Sequence, residues 1–218
     1  MGKFTKIPQQ RPSWSTDELK SIDAARVLVH RIEKHESLVR NSELKMKSCS
    51  RKLKDLMIRR NIMKDYNPEA NVFPAFINSH VQESLNWEIV QKRNELEDIV
   101  DNLSKSLKST ETAIQDVEKD LQTVLLEEEN LSNHQKDLIN LLNYILDASL
   151  SIHAYYTTYQ MNMELNNEMT REENSAQEDF HRKDDSREFS HFIRDFLCRC
   201  RLEKILNMPE DACEGNES

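Results

Sequence analysis

Glycine is almost missing from this chain: of 218 residues only Gly2 and Gly215 are glycine, both close to an end. No interior position therefore supplies the freely accessible positive φ that tight hairpin turns, phosphate-binding loops and nucleophile elbows demand. Proline is sparse too, and Pro8, Pro12, Pro68, Pro74 and Pro209 leave residues 13–67 and 75–208 uninterrupted. Aromatic residues make up 6%. Sheet folds and most enzyme folds are excluded on these grounds. The four cysteines (Cys49, Cys198, Cys200, Cys213) form no framework and no apolar leader opens the chain, which argues for a reducing, intracellular setting. The longest charge-poor stretch, residues 138–163, contains Asn140, Asn143, His153, Gln160 and Asn162 and is too polar to span a bilayer. Lys6 stands where a myristoylation signal needs Ser or Thr, so no lipid anchor is expected.

Charge is abundant and unevenly placed. The net charge is -9, yet residues 1–66 carry 16 basic and 8 acidic side chains, against 14 and 31 in the remainder. Ser15-Thr16-Asp17-Glu18 is a capping-box pattern that starts a first helix, residues 15–66, and Asn67-Pro68 ends it. Within it a seam at Ala25, Leu28, Ile32, His35, Val39, Ser42, Met46, Cys49, Leu53, Leu56, Arg60 and Met63 alternates steps of three and four, and nine of these twelve positions are apolar. After a turn at residues 67–74 the same alternation runs from Ile89 to Met163, which predicts one longer helix over residues 75–165. A repeat of 3.5 residues kept this long predicts an all-α chain built as a left-handed coiled coil. The seams fit each other as a helical hairpin if partner numbers sum to about 142, although pairing between separate chains, including a parallel homodimer, satisfies the same pattern. In the hairpin the second helix, roughly 135 Å long, outreaches the first at roughly 75 Å. Residues 127–165 then project with an uncovered apolar seam.

Residues 166–186 read as a polar linker. Over 187–207, Phe189, Phe192, Ile193, Phe196, Leu197, Cys200 and Leu206 recur at helical spacing with Arg194, Arg199, Arg201 and Lys204 between them, an amphipathic docking helix. Residues 1–14, a basic stretch, and 208–218 read as disordered tails.

A partner is expected on the charge-poor arm and the docking helix: Leu138, Leu142, Tyr144, Ile145, Ile152, Tyr155, Tyr156, Tyr159, Phe189, Phe192, Ile193 and Phe196. Tyrosine brings a large contact area with few rotors and a polar tip. An internal bundle with residues 187–207 folded back would use the same side chains. Phe73, Phe76 and Ile77 at the hairpin tip either cap the coil or add a second contact. The run Lys45, Lys47, Arg51, Lys52, Lys54, Arg59, Arg60 and Lys64, opposed only by Asp55, could meet an acidic protein, an anionic membrane or nucleic acid. It lacks the interleaved aromatics of nucleic-acid readers. The plainer reading pairs it with Glu83, Glu88, Glu95, Glu97 and Asp98 across the hairpin.

Catalytic and metal signals are weak. Glu178 with His181 and Glu188 with His191 repeat an E-x-x-H spacing, but within a single segment, whereas di-iron bundles draw the pair from separate helices. Cys198, Cys200 and His191 lack the second ligand pair of a zinc site. No cofactor is expected. His35, Arg93, Glu128 and Gln135 interrupt the seams and read as register-setting polar positions. By architecture alone, the pattern implies a non-catalytic scaffold subunit that binds other coiled-coil subunits in a kinetochore, centromere, spindle or cytoskeletal assembly, in the nucleus or on the cytoskeleton. The alternative is a peripheral membrane-remodelling or tethering protein, whose charge layout is similar.

Overall fold

The computed structural model describes residues 14–64, 75–126, 132–172, 185–203 and 206. They form four helices: α1 (Thr16–Lys64), α2 (Ala75–Leu126), α3 (Asn133–Glu172) and α4 (Asp185–Leu202). No strand occurs among the described residues, so the fold is all-α. None of these helices is long and apolar enough to cross a membrane.

The start of α1 is capped in both directions. The Ser15 amide donates to Glu18 Oε2 at 2.6 Å, and the Glu18 amide donates to Ser15 Oγ at 3.2 Å. Asp17 and Glu18 add negative charge where the helix dipole is positive. From there α1 runs for 49 residues without a break. Alongside it α2 runs in the opposite direction, as four cross-contacts show: Arg31 Nη1 donates to the Ser109 carbonyl, His35 lies 3.0 Å from Ser106 Oγ, Cys49 3.2 Å from Glu95, and Gln82 Nε2 3.0 Å from the Met63 carbonyl. Partner numbers sum to 140 at the first contact and 145 at the last, within one helical turn of 142.

The single helix expected over residues 75–165 is two. α2 ends at Leu126 and α3 begins at Asn133, behind a second capping box in which the Ser132 amide donates to Gln135 Oε1 at 2.8 Å and the Gln135 amide to Ser132 Oγ at 3.3 Å. Gln135 is therefore a capping residue and not a seam residue, while Glu128 lies outside the described residues. The chain reverses between the two helices, and α3 returns parallel to α1, with Tyr156 reaching Glu36 and Tyr159 reaching Glu43. Residues 133–165 thus do not project beyond α1. The physical reason is the apolar seam itself: Leu138, Leu142, Ile145, Ile152 and Tyr156 are at most 1% exposed after the reversal. Burying five such side chains contributes on the order of 10 kcal/mol, as an upper figure.

The linker is shorter than expected, because α3 extends to Glu172; residues 173–184 lie outside the description. α4 runs antiparallel to α1 and α3, with Arg201 paired to Glu33, and Arg26 Nε donating to the Leu206 carbonyl at 2.8 Å. Trp14 is half-buried against the core and so belongs to the fold, not to the N-terminal tail. The remaining tail residues, 1–13 and 207–218, and the turn with Phe73 lie outside the described residues.

Two cores result. The larger joins Ile22, Ala25, Leu28, Ile32 and Val39 of α1 to Leu103–Val124 of α2, the α3 seam, and Ile193, Phe196 and Cys200 of α4. The smaller holds Leu53, Leu56, Met57, Leu85 and Ile89, from α1 and α2 alone. At the level between them Cys49 Sγ donates to the exposed Glu95, whose other oxygen is paired with Lys92.

Candidate partner-binding surface

Inside the bundle a polar cluster locks three helices together. Glu36 is 4% exposed and accepts from Tyr156 of α3 and from Arg40 Nε, the latter at 2.6 Å. His35 is buried beside it, edge-on to the Tyr156 ring at a centroid distance of 4.6 Å and within 3.0 Å of Ser106 on α2. Burial, followed by the nearby His153, lowers the His35 pKa from 6.5 to about 4, so the imidazole is neutral at pH 7. A neutral His and a satisfied Glu on adjacent α1 positions have matching partners in only one register of α2 and α3.

Most residues expected to meet a partner are consumed by the chain itself. Leu138, Leu142, Ile145, Ile152, Tyr156, Ile193 and Phe196 are buried to within about 1%, and Tyr159 is nearly so. Tyr155 stacks on Phe189 at 3.8 Å and Tyr144 lies 6.1 Å from Phe196, with the Arg199 guanidinium 4.1 Å above the Tyr144 ring. These aromatics fasten α4 to α3. Only Phe192, 39% exposed, keeps a substantial surface. A cleft of about 200 Å³ between α1 and α4 is lined by Glu33, Glu36, Ser37, Arg40, Arg194 and Arg201. Two of its arginines are already paired, Arg40 with Glu36 and Arg201 with Glu33.

The other end of the molecule is different. Beyond Cys49, α1 and α2 continue side by side as an arm, and the small core between them holds no buried side chain of α3 or α4 among the described residues. The arm's surface carries Ile58, Ile62, Phe76, Trp87 and Val90, all exposed, with Phe76 at 73% and Trp87 at 62%. Phe76 is therefore not spent on capping the coil, whereas Ile77 is only 36% exposed. Arg51, Lys52, Lys54, Arg59 and Lys64 are exposed on the same arm and Lys45 and Lys47 are exposed just before it, while Arg60 is half-buried. Among the described residues these seven make none of the direct ion pairs expected across the hairpin, although the Lys52 charge acts on Glu95 from the opposite helix. Glu95 instead pairs with Lys92 on its own helix, and with Cys49, and its carboxyl is held below the usual range first by Lys92 and then by that thiol.

Of the arm's exposed apolar residues Phe76 is singled out by the sequence as a possible contact, but Ile58, Ile62, Trp87 and Val90 are not, because they lie outside the seam. Their signal is spacing: Phe76, His80, Glu83, Trp87 and Val90 follow at steps of four and three. Of the proposed metal pairs, Glu178 and His181 lie outside the described residues, while Glu188 and His191 are exposed on α4. Among the described residues, no group of three or more His, Cys, Asp or Glu is placed to hold a metal ion. No protein family matches the chain, and neither a curated protein nor a solved structure is similar to it.

Proposed function

We propose that the chain is a non-catalytic scaffold subunit of an intracellular multiprotein assembly, of the kinetochore, centromere, spindle or cytoskeletal kind. Its bundle is a self-contained head, and the α1–α2 arm, acting as a coiled-coil hairpin, offers helical subunits a docking face. The observation that carries this reading is the arm's combination of exposed Trp87, Phe76, Ile58 and Ile62 with cations that lack ion-pair partners among the described residues. Large apolar side chains aligned on a rigid two-helix surface favour association with another helix. The test is native purification of the tagged full chain from its own cells. Helical subunits in stoichiometric amount, lost with Trp87→Asp and kept with Lys52→Glu/Arg59→Glu, are the expected result. A chain that recovers no such subunit contradicts it.

The exposed basic run favours a second reading, a peripheral membrane-remodelling or tethering protein. There, flotation with anionic vesicles falls as salt rises and is lost with the Lys52/Arg59 reversal, while Trp87→Asp leaves it largely intact.

A further inference from the structure

The arm is split lengthwise by charge. On α1, Arg51, Lys54, Ile58 and Ile62 follow at steps of three or four and are all exposed, forming one stripe whose charges are all positive. On α2 the stripe Phe76, His80, Glu83, Trp87 and Val90 is exposed throughout, and its full charge is negative, with Glu88 exposed next to Trp87. The contacts Cys49–Glu95 and Met63–Gln82 fix the levels of the two helices. Counting inward from them at equal rise per residue, Trp87 is level with Ile58 and Val90 with Lys54.

We propose that the arm pairs with the arm of a second copy of this chain about a twofold axis running along the arm, so that α1 of each copy lies against α2 of the other. Such an axis preserves level. Ile58 meets Trp87, Ile62 lies level with Glu83, and Lys54 meets Val90 and, within one helical turn, the carboxylate of Glu88, twice over, as an isologous interface requires. A twofold axis across the arm would instead place the basic stripe on its own copy, which like-charge repulsion disfavours. Four helices then surround the small core of Leu53, Leu56, Met57, Leu85 and Ile89, as four surround the larger one. An anionic bilayer fits less well, because Glu83 and Glu88 flank the aromatic stripe. The inference rests on the scaffold reading and names the helical subunit that the arm takes.

Sedimentation equilibrium of the full chain over roughly 1–100 μM tests it directly. The expected result is a mass rising to twice 25.7 kDa, with the Trp87 emission of a Trp14→Phe variant shifting to the blue over the same range. Lys54→Glu and Glu88→Lys, each checked for unchanged helicity by circular dichroism, should each weaken self-association by about tenfold or more. Mixed together, the two variants should pair with each other. A chain that stays monomeric overturns the proposal, as does a dimer indifferent to both charge reversals and to Trp87→Glu. A monomer that takes a different helical subunit through Trp87 overturns the second copy but leaves the scaffold reading standing. A monomer that floats with phosphatidylserine vesicles and takes no helical subunit overturns both.

Discussion

Tyr156 of α3 donates its phenolic hydroxyl to the buried carboxylate of Glu36 on α1, 120 residues earlier in the chain. A buried carboxylate that loses a donor keeps its desolvation cost without the compensating bond. Tyr156→Phe should therefore destabilise the chain by about 1–3 kcal/mol, seen as a lower denaturation midpoint. A double-mutant cycle with Glu36→Gln should return a coupling energy of about the same size.

His35 gives stability a pH dependence of known sign. Its pKa in the folded chain is about 4 against 6.5 unfolded, lowered by burial and then by His153, so as pH falls below 6.5 the unfolded state takes up a proton that the folded state refuses. Stability is full above that range, declines between about pH 6.5 and 4, and has lost about 3 kcal/mol on this account at the lower end. Urea titrations at stepped pH should show the decline in the native chain, and His35→Gln should flatten it.

Ser132 and Gln135 begin α3. Ser132→Ala leaves the Gln135 amide without its side-chain acceptor and should cost about 1 kcal/mol, and Gln135→Ala should cost a similar or smaller amount. Thermal unfolding of the two variants and their double checks this. The double should cost less than the sum, because the two bonds are reciprocal.

The described cysteines differ in reactivity. Cys198 is exposed, whereas Cys49 and Cys200 are buried. Burial raises the Cys49 thiol pKa, with Glu95 adding to the effect, and burial with Glu203 takes that of Cys200 to about 11. With a thiol-specific reagent at pH 7, Cys198 should be labelled first, and Cys49 and Cys200 only after denaturation, as read by peptide mass spectrometry. Early labelling of Cys200 would mean that α4 leaves the bundle.

How much of this was legible in the residues depends on which physical signal carried each feature. The start of α1 was legible because Ser15 and Glu18 precede an uninterrupted run, whereas the residues leave open the choice between a hairpin and separate chains, because two seams of equal period share a phase in either case. The reversal after Leu126 was not legible. Leu131 and Leu138 continue the alternation of Leu121 and Val124 in step, and neither Pro nor Gly marks the break. The one local sign was Ser132-Asn133-His134-Gln135, a capping box inside what otherwise reads as a single helix. Missing it turned an inward apolar face into an outward one, so Leu138, Leu142 and Ile145 read as partner contacts although α1 and α2 cover them. The arm's surface was hidden for the opposite reason: Trp87 and Ile58 lie off the seam, where a periodicity count does not look.

The unbroken course of α1 has a consequence for how the molecule comes apart. Its first half stands in the large core and its second half in the small one, with Cys49, Lys92 and Glu95 between them. Because the two cores share no buried side chain, the two halves of α1 should behave as separate cooperative units. Amide hydrogen exchange should fall into two classes, with the amides near Leu28 and Ile32 opening only on global unfolding and those near Leu53 and Leu56 opening first. The arm can then melt and re-form while the head stays folded, like a hinged pair of tongs whose handle never loosens.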